Sequence, residues 1–425
     1  MKSILLLLVF SLSIAEQPHY IRDGFYRDSE YLNRVIPGFM GYLVPHKDDA
    51  GGYLLPRNST RITALVAHPD AQAYGFTSGE PGYSPYFFYF KTKRLFATGA
   101  LCLNDVLPGQ ECINTNAMRV LPDGNIICGS SNYRDSTIGR WTPNGWIPYI
   151  KMVDPSYEGG HLFLINPEQM SRNGKLNIVD LGIVLKNKGI RCIIPSKDGK
   201  RIFGLLDPTY EFFDFDLKSR KSRIIPIKMW EQREDNNILR KGRDLVLDSA
   251  GNCYGTVFMG QIFKYEPLDE HLYLTDSYLP SIPGHHWLCA VDCFLSSDDG
   301  SIYGGTESDG ILFRFDPPSG EVESFGKILD RPRIRGLAWG NDGKIYGTAG
   351  DDNSVSRFFT FDPVKRVFFN FGGLEVPILR DGASKWKLYQ LGPIVSIPKF
   401  GMLIIGEEDI LGHLVSYQPP IPAKK

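Results

Sequence analysis

The chain has almost no charge imbalance: 47 basic residues stand against 48 acidic ones, for a formal net charge of -1 over 425 residues. That balance removes the support for wholesale electrostatic binding to nucleic acid or to an anionic membrane surface. Long apolar runs are absent beyond the first residues, so no internal segment reaches the roughly 20 residues that a membrane-spanning helix needs. Several reaction signatures are missing too. There is no His-Glu-x-x-His for zinc proteolysis, no Gly-x-Ser-x-Gly nucleophile elbow, no Gly-x-x-x-x-Gly-Lys phosphate cradle and no Cys-x-x-Cys-His haem site.

What the N-terminus does carry reads as an export signal. Lys2 supplies the positive charge, Ile4 to Phe10 are uninterrupted apolar residues, and Ser13 and Ala15 are small residues at signal-peptidase spacing. Cleavage is expected after Ala15, and a secreted or periplasmic protein is expected to follow. Asn58-Ser59-Thr60 is a single glycosylation sequon, which matters only in a eukaryotic source. Seven cysteines is an odd number for an exported chain. Cys102 and Cys112 flank a Pro-Gly turn and are the best disulfide candidates. Cys289 and Cys293 are four apart in an expected strand, about 13 Å at ~3.3 Å per residue, too far to bridge.

The residues that are plentiful repeat. Asp123-Gly124, Asp198-Gly199, Asp299-Gly300 and Asp342-Gly343 each separate two apolar runs. Asp-Gly favours a two-residue hairpin, where both positions tolerate positive φ. An apolar or aromatic residue followed by glycine comes soon after: Cys128-Gly129, Phe203-Gly204, Tyr303-Gly304 and Tyr346-Gly347. The same step recurs at Tyr74-Gly75, Tyr254-Gly255 and Ile405-Gly406, making seven. A strand with alternating large residues and a terminal acid or proline follows each step, as in Phe213-Asp214-Phe215-Asp216, Phe263-Lys264-Tyr265-Glu266-Pro267 and Phe313-Arg314-Phe315-Asp316-Pro317. The glycine steps lie 43 to 75 residues apart. Four strands of a blade occupy about 40–50 residues, and the excess falls in loops, most of it in residues 130–160.

Seven such units predict an all-β fold, a seven-bladed β-propeller of four-stranded antiparallel blades. The signal peptide takes residues 1–15, an N-terminal extension 16–60, and the propeller 61–425. The last unit shows only three strands, so Phe39 to Val44 is expected to supply the fourth and remove two exposed sheet edges.

These repeats resemble those of secreted bacterial β-propellers, and Ser296-x-Asp298-x-Gly300-x-x-Tyr303 looks like a degenerate Asp box. Families built on such propellers include ulvan-lyase-type polysaccharide lyases, lactonases, streptogramin lyases, quinoprotein dehydrogenases and binding scaffolds. The resemblance implies a working face where outer-to-inner and second-to-third-strand loops gather around the channel mouth. Fold alone does not choose among these functions.

Polar residues assigned to that face form several groups. Arg191, Arg243 and Arg335 occupy equivalent repeat positions with Arg61 close by, and planar guanidinium forks suit carboxylates or sulfates. The competing reading pairs each with acids such as Asp244 or Glu307. His161 follows the long insertion and would serve as a general base, with Tyr157 or Tyr210 as acid. A histidine that merely anchors the insertion is the blander account. His285 and His286, near Cys289, raise a metal site without a four-ligand spacing. Glu307, Asp309, Asp351, Asp352, Glu407, Glu408 and Asp409 would hold a divalent cation if they converged. Tyr83, Tyr86, Tyr210 and Trp386 would stack on sugar rings. The expectation is a propeller binding an acidic carbohydrate at the channel mouth, with β-elimination as the reaction: Arg335, Arg243 or Arg191 neutralising a uronate, His161 removing a proton and a tyrosine returning one. A non-catalytic protein- or glycan-binding scaffold and a metal-dependent lactonase are the alternatives.

Overall fold

The structure is a computed structural model that describes residues 39–43, 61–78, 84–91, 96–132, 139–142, 145–148, 156–168, 177–227, 242–286, 289–330, 332–350, 355–377, 385–409 and 412–420. The leader, the sequon, Tyr83, Asp351 and Asp352 lie outside the described residues. Seven four-stranded antiparallel sheets form the seven blades. Blade 1 takes Arg61–Ala67, Ala73–Ser78, Tyr86–Lys91 and Phe96–Cys102, and blade 2 takes Cys112–Val120, Ile126–Ser131, His161–Ile165 and Ile178–Ile183. Blade 3 comprises Gly189–Pro195, Arg201–Asp207, Phe212–Asp216 and Lys221–Ile225, and blade 4 Val246–Leu247, Cys253–Thr256, Gln261–Glu266 and His271–Tyr278. Blade 5 has Val291–Ser296, Ile302–Thr306, Ile311–Asp316 and Glu321–Lys327; blade 6 has Ile334–Trp339, Ile345–Ala349, Arg357–Asp362 and Val367–Gly372. Blade 7 combines Leu391–Ile397, Met402–Glu407 and His413–Tyr417 with Phe39–Leu43 from the other end of the chain. Phe39 faces Tyr417 and Leu43 faces His413, so hydrogen bonds between the chain's two ends close the ring. That pairing covers an edge each end would otherwise expose.

Register explains why the glycine steps and the aromatic strands occur together. Gly75, Gly204, Gly255, Gly304 and Gly347 sit directly opposite Phe88, Phe213, Phe263, Phe313 and Phe359 on the third strand. In each pair the ring lies over the glycine, where a β-carbon would come within 2.3–2.5 Å of it. An aromatic side chain fills the space that the missing side chain leaves. In blade 2 the space belongs instead to the next blade, because a β-carbon on Gly129 would meet Ile190 at 2.4 Å.

The hairpins differ in detail from the sequence expectation. Of each Asp-Gly pair only the glycine takes positive φ, for example +83° at Gly124 and +68° at Gly199. The glycine N–H donates three residues back, Gly124 to Leu121 O at 2.9 Å and Gly343 to Gly340 O at 3.1 Å. The aspartate works through its side chain: Asp123 accepts the N–H of Asn125 at 2.9 Å and Asp198 that of Lys200 at 3.1 Å. Such local acceptance is why Asp is favoured in turns. The tyrosine of the step also reaches back to the turn, as Tyr74 OH donates to Asp70 at 2.7 Å and Tyr346 OH to Asp342 at 3.0 Å.

Asp70 anchors one such turn and ties blade 1 to blade 2. His68 Nδ1 lies 2.9 Å from Asp70, and His68 Nε2 is 2.7 Å from Gly124 O in the neighbouring hairpin. Burial by itself would raise the Asp70 pKa, but bonds from His68, the Tyr74 hydroxyl and the Gln72 N–H outweigh it and bring it from 3.8 to about 2. A carboxyl held below its unfolded value adds stability that is whole above pH 3.8 and is lost as the pH falls toward about 2. The thermal midpoint is therefore expected to drop across that window. Asp70→Asn should be less stable at neutral pH and show a shallower acid drop, which a pH series of melting curves would read.

One cysteine expectation is overturned. Cys102 and Cys112 are not disulfide-bonded, nor are any of the other cysteines. Cys102 ends the outer strand of blade 1 and Cys112 begins the inner strand of blade 2, so the segment between them runs from rim to hub. Cys112 Sγ donates instead to Ser131 O at 3.2 Å.

Candidate functional site

The inner strands carry a shared irregularity that supplies the channel with side chains. The pairing of first and second strands steps over Thr63, Arg191, Asp292 and Arg335 in blades 1, 3, 5 and 6. Each stands two positions before the residue facing the glycine step, and Arg243 holds the same place in blade 4, since Val246 faces Tyr254. Such bulges re-aim a side chain out of the ladder. In blade 2 the step is larger, from Ile113 to Met118. Its side chains cross the ring: Asn114 donates to Ile190 O at 3.0 Å, Asn116 to Arg243 O at 3.1 Å and Asp292 O at 3.3 Å, and Thr115 to Glu408 Oε1 at 3.3 Å. Residues 114–116 thereby tie blade 2 to blades 3, 4, 5 and 7.

The arginines that the repeat aligned are buried, and each has an acidic partner. Arg191 Nη1 contacts both Asp207 oxygens at 2.8 Å, and its Nε donates to Gly242 O at 2.9 Å. Arg243 binds Glu307 at 2.7 Å and lies 3.7 Å from Asp292. Arg335 is paired with Glu408. Two further arginines join: Arg333 forks onto Asp292 at 2.7 and 2.8 Å, and Arg119 reaches Asp244 at 2.6 Å. Burial pushes Asp244 up to about 6, with Arg119 and the N–H groups of Phe294 and Leu245 opposing and Asp292 adding to the rise. Arg61 is half-buried at the start of blade 1's inner strand. Apart from Arg61, these guanidinium groups latch blade to blade, and their charge is already matched inside the protein.

The other assigned residues scatter. Tyr210 is 2% exposed, and its hydroxyl donates to Thr256 O at 2.5 Å. Burial raises that phenol well above its ordinary value, so it belongs to the core. Trp386 lies in the short strand Lys385–Lys387, opposite Val376. His285 Nδ1 is 2.9 Å from Asp309, and His286 is exposed beside it. Glu407 is paired with buried His413 at 2.9 Å. Among the described residues no three His, Cys, Asp or Glu side chains converge as metal ligands. Glu307, Glu408, Asp309 and Glu407 are separately engaged by Arg243, Arg335, His285 and His413.

Two of the assigned residues do meet. His161 and Tyr157 line one cleft of about 500 Å³ over blade 2, together with Asn104, Pro108, Gly109, Gln110, Glu111, Asn132, Ser156 and Glu158. One wall is the outer-to-inner connection from blade 1, and the other precedes the third strand of blade 2. Both are loops of the expected working face, and none of the aligned arginines lines the cleft. Its wall is stiffened by hydrogen bonds. Tyr157 OH donates to Gln110 Oε1 at 3.1 Å, Gln110 Nε2 to Gly159 O at 3.3 Å, and the Glu111 N–H to Asn132 Oδ1 at 3.1 Å. His161 Nδ1 lies 3.0 Å from Asp180. The amides, Glu111 and Asp180 carry no sequence signal, because they belong to no repeat position or motif.

No family model and no curated protein matches the chain. Solved structures do. The extracellular domain of a putative hybrid two-component system from B. thetaiotaomicron is 14% identical over 91% of this chain, with a TM-score of 0.55; the chain spans 41% of that one. A virginiamycin B lyase from Staphylococcus aureus is 8% identical, covering 90% of this chain and 100% of its own, with a TM-score of 0.55. The periplasmic gluconolactonase of Pseudomonas aeruginosa is 13% identical over 78% of this chain and 95% of its own, with a TM-score of 0.51. The first and last are extracellular or periplasmic by description, and no described helix here is long and apolar enough to cross a membrane. Likeness at such low identity speaks for architecture, and with the blades described above it makes this chain a seven-bladed β-propeller.

Proposed function

We propose that the chain works outside the cytoplasm as a ligand-binding propeller and that its ligand, a carbohydrate, sits in the cleft over blade 2. The observation that carries this is the lining: side-chain amides, carboxylates, an imidazole and a phenol around about 500 Å³ on the loop face. Hydroxyl-rich ligands exchange hydrogen bonds with such groups, and pockets of this size bury a small ligand. Glu111 and Glu158 are the acidic residues of the described lining and no lysine or arginine stands among them, which favours a neutral glycan over the acidic one expected from the arginines. Calorimetric titration with soluble neutral and uronate oligosaccharides tests this. Binding of a neutral glycan, weakened at least about tenfold by Glu111→Ala and about threefold to tenfold by His161→Ala, is the expected result, since a hydrogen bond to a charged group is worth about 1.5–3 kcal/mol and a neutral one about 0.5–1.5 kcal/mol. Affinities indifferent to both substitutions would end the proposal.

The meeting of His161 and Tyr157 in one cleft favours a second reading, β-elimination on a uronate glycan. His161 would take the proton and Tyr157 return one to the leaving oxygen. Arg191, Arg243 and Arg335 are engaged by acids in the channel, so the uronate charge would have to be met by another group. Unsaturated product, followed by ultraviolet absorbance and lost in His161→Ala, would move the assignment from binding to lyase.

A further inference from the structure

We infer that Asp180 is a positioning residue: it holds the His161 ring in the tautomer whose bare Nε2 faces the cleft, where it accepts a hydrogen bond or proton from a ligand hydroxyl. This rests on the cleft being the ligand site, and it concerns a residue that no repeat position or spacing singled out.

Both ends of the contact are built. The His161 N–H donates to Ser130 Oγ at 2.9 Å, which fixes the strand where the ring departs. Ring Nδ1 lies 3.0 and 3.1 Å from the two Asp180 oxygens. Asp180 gets there through a bulge. Leu162 pairs with Gly182 and Phe163 with Asp180, so the ladder steps over Leu181. Leu181 is only 8% exposed and packs in the core, which anchors the bulge from below. Gly182 takes φ +102°, a conformation that favours glycine, and its N–H donates to Asp180 Oδ1 at 2.9 Å. The carboxylate is therefore aimed at the ring before any ligand arrives.

Chemistry then sets the tautomer. A carboxylate only accepts, so the Nδ1 facing it carries the proton. The neutral ring is left with its lone pair on Nε2. Among the described residues that Nε2 makes no hydrogen bond, while the ring lines the cleft. A carboxylate behind a histidine fixes both orientation and tautomer wherever the other nitrogen has work to do. With Glu111 and Glu158 in the same lining, the cleft is rich in acceptors, so its ligand must present donors, as a polyol does.

Nitrogen-15 spectra of the whole protein would test this, with the His161 signals identified by their loss in His161→Gln. Wild type should show protonated Nδ1 and bare Nε2, and Asp180→Ala should turn the ring to the Nε2–H form common in solvent, while Asp180→Glu keeps the wild-type form. Diethyl pyrocarbonate, which acylates a bare ring nitrogen, should modify His161 at Nε2 in the wild type and at Nδ1 in Asp180→Ala, at equal thermal midpoint. A wild-type ring already in the Nε2–H form, or a tautomer and site of acylation unchanged by Asp180→Ala, overturns the inference. Both measurements need no ligand. If they succeed and no oligosaccharide protects His161 from acylation, the carbohydrate reading fails and the role of Asp180 stands.

Discussion

Replacing Asp292 with alanine is expected to lower stability by about 3–5 kcal/mol, the usual cost of breaking a buried ion pair from one side. Asp292 is 3% exposed, forks onto Arg333 at 2.7 and 2.8 Å, and lies 3.7 Å from Arg243. Arg333 and Arg243 are themselves 9% and 7% exposed, so neither guanidinium can turn to bulk water once the carboxylate has gone. Arg243 keeps Glu307, and most of the loss therefore falls on Arg333. Removing both partners, as in Asp292→Ala with Arg333→Met, should recover part of the loss, because an apolar pair leaves no charge stranded. Denaturant unfolding followed by tryptophan fluorescence measures both. A loss below about 1 kcal/mol, typical of exposed pairs, would mean that water reaches these groups.

Phe213→Ala should cost about 3–5 kcal/mol, the usual range for emptying a buried aromatic site. Gly204→Ala should cost about 1–3 kcal/mol by overpacking. The β-carbon at 204 would come within 2.3 Å of the Phe213 ring and 2.7 Å of Cys192 O. The ring can shift; the carbonyl belongs to the neighbouring strand and cannot move without its ladder. Because the two residues face each other across the second and third strands, the effects should not add. The double substitution should cost less than the sum of the single ones, since the smaller side chain at 213 makes room for the methyl. Full additivity would show that glycine and ring do not share the space, and the packing account of the repeat would fall.

The repeat was legible because its parts are local. A turn aspartate, a glycine step and an alternating aromatic strand recur within a few tens of residues, and each has a physical cause that acts between adjacent strands. The equivalence of Arg191, Arg243 and Arg335 was legible for the same reason, since repeat position determines where a residue stands in its own blade. Their partners were not. Glu307 reaches Arg243 from the next blade, Glu408 reaches Arg335 likewise, and Thr115 meets Glu408 across the ring. Chemical type and loop position point to His161 and Tyr157, which do share a cleft; they point equally to Tyr210, which is spent on backbone carbonyls.

By itself the sequence determined the number of blades and the strand order within each, because those follow from hydrogen-bond ladders and side-chain alternation along one stretch of chain. Only the tertiary structure decided which charges neutralise one another, that side chains of blade 2 reach blades 3, 4, 5 and 7, and that Gln110, Glu111 and Asp180 gather around His161. Those contacts depend on the angle at which one sheet meets the next and on a single stepped-over residue in a strand, and neither leaves a periodic mark in the order of amino acids.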